Sequence, residues 1–471
     1  MKMMDYLIKV ILFFLLMVTP LAFGATEIWA FSIMELGILA IIIFWAIQNL
    51  FRISEFGVRN LKYEIVFLSL FLVLILFQMI PIPPGIMKII SPKTYELRHL
   101  LSISDSQRSL QHVNFPISFV PFASRIEFFK WLTLSGLFLF LLYWNSLKGR
   151  DRVTSQFLVL ILLMGVFESL YGMFEFFSGH RHILHLDGSS LVSAVTGTFI
   201  NRNYFAGYLL MVIPLSVGYL FSKDSFQKAR FMNWRHRLSS LDGKTILIAF
   251  SIIVMIIGLL FSASRMGILS LLLSFSFIVF FFRDRERRER KFSGSLVLIL
   301  GLALLWAAWI GLDAVISRFF TTSEDFKGRG MIWANTFQIL RDFPLFGSGL
   351  GTFSQIFPMY RSFHIQGFVT HAENDYLQLA SEVGFIGIGL LLILFIFLSF
   401  KVVSGVRSLP AWESNRYIGM GGLVGILALM FHSLVERNIQ VPANAFLFTF
   451  IWALVLKTAT LRPGAKVIRG D

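Results

Sequence analysis

The sequence predicts an all-α integral membrane protein of about twelve transmembrane helices. Three observations carry this. Apolar runs of about 20 residues, enough to cross a bilayer, recur along the chain. The composition is 56% hydrophobic with 53 Phe and mean hydropathy is +0.74, well above a soluble domain. Most of the 42 Lys and Arg fall in alternate gaps between the runs, as the excess of positive charge in cytoplasmic loops requires.

In chain order the expected spans are residues 6–23, 29–50, 63–80, 126–147, 153–177, 200–222, 244–262, 266–282, 294–312, 383–403, 416–433 and 442–460. The first has Lys2 and Lys9 and ends in Ala22-Phe23-Gly24-Ala25, a signal-peptide layout. An uncleaved span is expected, because the later runs need no separate export signal. Arg52, Arg59 and Lys62 follow the second run, and Lys148, Arg150 and Arg152 the fourth. Six basic residues between 223 and 244 follow the sixth, and the stretch Arg283 to Lys291 the eighth. Lys401, Arg407 and Arg416 come after the tenth, and the tail carries Lys457 to Arg469. Every second gap is therefore basic, which places both termini in the cytoplasm. This alternation requires a break between the seventh and eighth runs, at Phe261-Ser-Ala-Ser-Arg-Met-Gly267.

Two connections on the opposite side are long. Residues 81–125 open with Pro81-Ile-Pro-Pro84 and continue through a Ser/Gln/His-rich stretch, expected to be half-ordered at the membrane surface. Residues 313–382, between the ninth and tenth runs, are too long for an idle connection. The expected organisation is residues 1–194 with five helices, residues 195–460 carrying the chemistry, and a cytoplasmic tail at 461–471. In a soluble protein the net charge of +15 would suggest nucleic acid; here it sets topology, and no nucleic-acid partner is expected. The absence of cysteine excludes disulfides and thiolate chemistry.

A minority of cations falls on the outward side and needs another explanation. Arg202 lies in Gly197-Thr-Phe-Ile-Asn-Arg-Asn-Tyr-Phe-Ala-Gly207, Arg265 in the Ser-Ala-Ser-Arg break, and Arg329 in Lys327-Gly-Arg-Gly330, ahead of an amphipathic stretch at 331–340. A charge near lipid is costly and is usually paired or functional. Guanidinium groups offer rigid two-donor forks for phosphate oxygens, so three on one side suit a diphosphate at the membrane surface. The plainer alternative is pairing with Glu168, Glu175 or Glu382, or reaching toward lipid headgroups.

The second constellation is His371-Ala-Glu-Asn-Asp-Tyr-Leu-Gln-Leu-Ala-Ser-Glu-Val-Gly384. Read as a helix, it puts His371, Asn374, Asp375, Gln378 and Glu382 in one 100° sector, a polar stripe suited to the wall of a wet cavity. His371 is the general-base candidate, since histidine accepts a proton near neutral pH. Glu373 is the reserve base. With Asp375 it makes an acidic-x-acidic pair, but on a helix the two diverge by about 160°, so no metal is expected. His432 and Glu436, spaced i,i+4 and followed by Arg437 and Asn438, make a second polar wall, with Glu436 a further reserve base, and Asn203 is expected to line the same polar cavity. Phe346-Gly-Ser-Gly-Leu-Gly-Thr352 follows no strand and is not a dinucleotide fingerprint; a tight turn is expected.

These stretches, with Phe343-Pro-Leu-Phe-Gly and Val441-Pro-Ala-Asn-Ala, resemble the O-antigen ligase and polymerase superfamily of bacterial membrane glycosyltransferases. The resemblance covers roughly residues 195–455. It implies a helical membrane fold of the GT-C type, at the periplasmic face of the inner membrane, working without metal or cofactor. Its donor would be a polyprenyl-diphosphate-linked glycan (undecaprenyl diphosphate as carrier), and its acceptor the lipid A core in a ligase. A polymerase would use a second lipid-linked glycan, and related enzymes glycosylate protein. By position, Arg202 and Arg265 would grip the diphosphate and His371 would activate the acceptor hydroxyl. A transporter is the reading from another class. It rests on Glu35 and Glu168 as the nearest charges to a midplane, and it lacks the internal repeat such folds show.

Overall fold

The computed structural model describes residues 2–49, 62–103, 113–144, 147, 152–180, 182–184, 186–187, 194–223, 241–281, 301, 323–364, 367–410 and 413–460. Fifteen α-helices are described: α1 (Lys2–Leu21), α2 (Ile28–Asn49), α3 (Lys62–Met79), α4 (Pro84–Ile90), α5 (Pro92–Ile103), α6 (Pro121–Tyr143), α7 (Arg152–Ser178), α8 (Arg202–Phe221), α9 (Gly243–Phe261), α10 (Arg265–Phe281), α11 (Ser323–Asp342), α12 (Phe353–Tyr360), α13 (Asp375–Ser408), α14 (Ser414–His432) and α15 (Pro442–Thr460). The two-residue strands β1 (His182–Ile183) and β2 (Leu186–Asp187) pair antiparallel after α7.

The chain is an all-α membrane protein. Among the described residues nine helices are long and apolar enough to span a membrane: α1, α2, α3, α6, α7, α8, α9, α13 and α15. α10 is a shorter apolar helix. The expected span 294–312 apart from residue 301, the basic run 283–291 and the tail 461–471 lie outside the described residues. α14, expected as a span, is not among the nine. It begins with Ser414, Asn415 and Arg416, and its glycines lower its hydropathy. Those glycines admit close backbone packing on α8, which is buried along nearly its whole length. A Cβ at Gly421 would lie 2.5 Å from the Pro214 carbonyl oxygen, and one at Gly425 2.7 Å from that of Met211. Small residues at a helix crossing are how membrane helices gain dispersion contact without a hydrophobic driving force.

One apolar core runs from Ile8 on α1 to Ala459 on α15. Large apolar side chains such as Leu36, Ile393 and Phe400 point outward, as a surface solvated by lipid does. α9 and α10 separate at residues 262–264, where the charge rhythm requires a break, with Ala263 in the left-handed region (φ 49°).

Cross-links sort the helix ends into two sets. At one end, the Ser414 hydroxyl donates to the Ser222 carbonyl, the Lys457 ammonium to that of Trp144, and Lys401 pairs with Glu64. At the other end lie both long connections. There Gln78 donates to the carbonyls of Phe346 and Glu382 and accepts the Leu350 N–H. The Ser124 hydroxyl reaches the Leu350 carbonyl, and Arg98 donates to the Ser118 and Phe119 carbonyls. The connection 81–125 is therefore folded where it is described, as α4, α5 and a bridge between Ile82 and Phe115.

The glycine-rich segment after α11 forms a tight turn. Gly349 (φ 110°) lies against Ser118, where a Cβ would come within 2.6 Å of the hydroxyl. Glu382 spans this turn from α13, its two oxygens accepting the N–H groups of Gly351 (2.9 Å) and Phe353 (3.2 Å). α11 and α12 pack a small second core of Ile332, Ile339, Phe343, Phe353, Ile356 and Phe357.

Candidate functional site

The candidate site lies at the end that carries the long connections. It is assembled from the first turns of α8, α10 and α13, the body of α11, and the segment 433–441 between α14 and α15. Each first turn exists for a local reason. Asn201 caps α8 by accepting the Asn203 N–H at 2.8 Å. Asn374 caps α13 by accepting the Leu377 N–H at 2.9 Å. The Ser264 hydroxyl accepts the Gly267 N–H at 3.3 Å at the start of α10. Asparagine and serine are the preferred N-caps because their short side chains reach donors the helix leaves unpaired.

Arg202 and Arg265 are the first residues of α8 and α10. Their first turns touch, since a Cβ at Gly267 would lie 3.0 Å from that of Ala206. Both arginines are half-buried, and no ion pair to Arg202 occurs among the described residues. The carboxylates offered as plainer partners are committed elsewhere. Glu168 accepts the N–H and hydroxyl of Thr198, both at 2.8 Å, Glu175 the N–H of His182 at 3.2 Å, and Glu382 the glycine-rich turn. Two touching helix N-termini, each adding partial positive charge, thus each begin with an arginine.

Arg329 behaves differently. Its Nη1 lies 2.6 Å from a Glu436 oxygen and donates to the Val435 carbonyl at 2.9 Å. Trp333, one turn further along α11, donates to the Ala372 carbonyl at 2.9 Å. α11 is therefore pinned to both loops of the site, and at least one face of the Arg329 fork is occupied by protein.

Helical projection does not apply to His371, because α13 begins only at Asp375. Glu373 adopts left-handed backbone (φ 51°) and Asn374 an extended one (φ −161°). His371 reaches the helix face by a turn instead. Gln378 accepts the Ala372 N–H at 3.0 Å and hydrogen-bonds the His371 ring. The His371 Nδ1 is buried without a partner, which leaves the Gln378 bond to the other ring nitrogen. Burial first, then the Arg437 and Lys130 cations, lower His371 to about 3; the ring is neutral at ordinary pH, with a lone pair at Nδ1.

The stripe expected to line a wet cavity is instead a dry seam. Asp375, Gln378 and Glu382 are all buried. Their oxygens satisfy backbone donors, and Gln378 donates onward to Glu382 at 3.2 Å. Asp375 Oδ2 accepts the N–H groups of Asn438 and Ile439.

Glu373 is raised by burial, against the lowering influence of Arg329 and Arg437. Burial pushes Glu436 up to about 7, although Arg329 and a hydrogen bond from Asn203 favour its charged form. His432 is a buried tie: its Nε2 lies 3.4 Å from the Ser264 hydroxyl and its Nδ1 3.2 Å from the Asn438 amide. Three bonded groups result: Asn203, Arg329 and Glu436; His432, Asn438 and Asp375; and His371, Gln378 and Glu382. In the sequence Arg437 is only one member of the polar wall that follows His432. Its guanidinium carbon sits 5.7 Å from the centre of the Tyr204 ring, and its Nε is buried without a partner. Its one sequence signal is a cation on the outward side.

Residues 250–392 match a family model described as O-antigen ligase. This part of the chain is similar to the O-antigen ligases. The match covers less than a third of the chain and contains Arg265, Arg329, His371, Glu373, Asn374 and Gln378, while Arg202, Asn203, His432, Glu436 and Arg437 fall outside it. A search of curated proteins found no match.

Proposed function

We propose that the protein transfers a glycan from a polyprenyl-diphosphate carrier to an acceptor hydroxyl at the periplasmic face of the bacterial inner membrane. The lipid A core is the acceptor we favour. The observation that carries this reading is the placement of Arg202 and Arg265 on touching helix starts that are tied to His432 and Glu436, at the same end of the molecule as His371, whose buried Nδ1 has no protein partner.

In the proposed reaction the acceptor oxygen attacks the anomeric carbon. The new carbon–oxygen bond forms as the bond to the diphosphate breaks, and that electron pair leaves with the diphosphate oxygen. His371 Nδ1 takes the hydroxyl proton. Arg202 and Arg265 stabilise charge growing on the leaving group, which in such sites is the larger electrostatic contribution; a positioned base adds about 10²–10⁴-fold. No metal enters the reaction as written, because the cations supply the charge. Arg329 acts through Glu436, which it holds against Asn203, and the glutamates 373 and 436 are reserve proton acceptors. Glu168 is engaged by Thr198 and is not poised to carry a transported ion.

The test is transfer by purified protein from a lipid-linked glycan donor, offered lipid A core, a second lipid-linked glycan, or an acceptor protein. Product on the lipid A core is expected. Product on either other acceptor would reassign the enzyme as a polymerase or a protein glycosyltransferase, and no product on any would overturn the reading.

A further inference from the structure

Three arginines were expected to meet the donor diphosphate, and the structure ties one of them to a carboxylate. Arg329 is bound to Glu436 and to the Val435 carbonyl. Arg437, the next residue after Glu436 and adjacent in space to α8, is differently placed. The nearby carboxylate of Glu436 is paired with Arg329, one oxygen of Asp375 accepts two backbone N–H groups, and Glu373 is a further carboxylate facing both Arg329 and Arg437. No ion pair to Arg437 occurs among the described residues. Its guanidinium lies against the ring of Tyr204, two residues beyond Arg202 on α8.

We propose that Arg437 is the third diphosphate-binding arginine, gripping a phosphoryl oxygen beside Arg202 in place of Arg329. The inference rests on the functional reading above and deepens it. Its physical basis is threefold. An aromatic face fixes a guanidinium without consuming its donors. The Asp375 clamp fixes the segment behind it, so the fork is preorganised. A half-buried cation with an orphaned Nε remains poorly solvated until an anion arrives, and a rigid fork then supplies two donors to a phosphate. The position also links donor to base. Arg437 is one of the cations facing His371, so a dianion bound to it would offset that positive charge next to the ring.

The test uses the full chain in detergent, with farnesyl diphosphate as a donor mimic and farnesyl monophosphate as the control. Wild type should bind the diphosphate more tightly than the monophosphate. Arg437→Gln should weaken diphosphate binding about tenfold or more, in the range of a lost charged hydrogen-bond pair, and should erase the preference. Arg437→Lys should recover only part, and Arg329→Gln, which leaves the Arg437 fork in place, should lose clearly less diphosphate affinity than Arg437→Gln and keep the preference for the diphosphate. Folding is checked by helical circular dichroism. If Arg437→Gln does not fold, Tyr204→Leu decides: it keeps the charge, removes the ring beneath it, and should weaken diphosphate binding several-fold. Unchanged affinity in the folded variant, or an equal loss in Arg329→Gln, overturns the inference. Wild type that fails to bind the diphosphate sinks the functional reading itself; wild type that binds, with Arg437→Gln binding equally, removes only this step.

Discussion

Asp375 Oδ2 accepts the backbone N–H of Asn438 at 2.8 Å and, through the same oxygen, that of Ile439 at 2.8 Å. This carboxylate at the first position of α13 is thus spent on a loop 63 residues away. It joins the segment that carries His371 to the segment that carries Glu436 and Arg437. Removing it leaves two buried donors unsatisfied, each costing about 1–3 kcal/mol. Asp375→Ala should therefore lower thermal stability and loosen both segments. Asp375→Asn, which keeps an accepting oxygen, should retain most of the stability. Equal loss in both, measured by thermal unfolding in detergent, would rule out the acceptor role.

His371 gives the sharpest kinetic test. His371→Ala should reduce turnover by two or more orders of magnitude, the typical contribution of a positioned base, while donor binding persists. His371→Gln should not rescue, because an amide cannot take the proton. A loss in donor binding equal to the loss in rate would make His371 a diphosphate ligand; near-normal turnover would pass the base role to Glu373 or Glu436.

The pH dependence follows from burial and the facing cations, which lower His371 to about 3. A lowered pKa means the neutral, accepting form persists as pH falls. The acid limb of kcat/KM, which reports the free enzyme, should lie well below the 6.5 of an ordinary histidine. A limb at 6.5 or above, assigned to His371 by its loss in His371→Gln, would contradict the buried placement of the ring.

The outward arginines should act by shape as well as charge. Arg265→Lys and Arg202→Lys should insert and fold but lose most turnover, since an ammonium cannot reproduce two parallel donors. Wild-type rates in both would return these residues to a structural role.

Arg329→Gln tests the Glu436 pair. It should cost about 3 kcal/mol, the lower end of the range for breaking a buried pair, because Arg329 is 30% exposed while Glu436 is 5% exposed. Without the cation Glu436 rises further above its present value of about 7. A group raised in the folded state stabilises it below the unfolded pKa, and that contribution is lost as pH rises through the folded one. The variant should therefore be penalised more at pH 8 than at pH 6, and Glu436→Gln added to it should remove the pH dependence. A penalty independent of pH would show that Glu436 is not the group left uncompensated.

Topology underlies all of these. Reporter fusions after Lys291 and Lys401 should read cytoplasmic, and one near Ser354 periplasmic. A cytoplasmic signal at Ser354 would place every proposed residue in the wrong compartment.

The sequence by itself determined the class of molecule and the alternation of its ends. Both depend on properties summed along the chain, namely apolar length and the cost of moving Lys and Arg across a bilayer. It also marked the break at 262–264 and the polar segments that meet in the site. What it could not decide is which polar groups are already satisfied. Arg202 and Arg329 look alike as isolated outward cations, yet only Arg329 finds a glutamate, from a loop more than a hundred residues away. Asp375, Gln378 and Glu382 look like a wet stripe on a helical wheel, but backbone N–H groups from residues 351, 353, 372, 438 and 439 consume them. Arg437 becomes conspicuous only once its neighbours are seen to be engaged. A periodic pattern fixes which face of a helix a residue occupies; whether a buried donor or acceptor is paired depends on partners that only the tertiary fold brings within 3 Å.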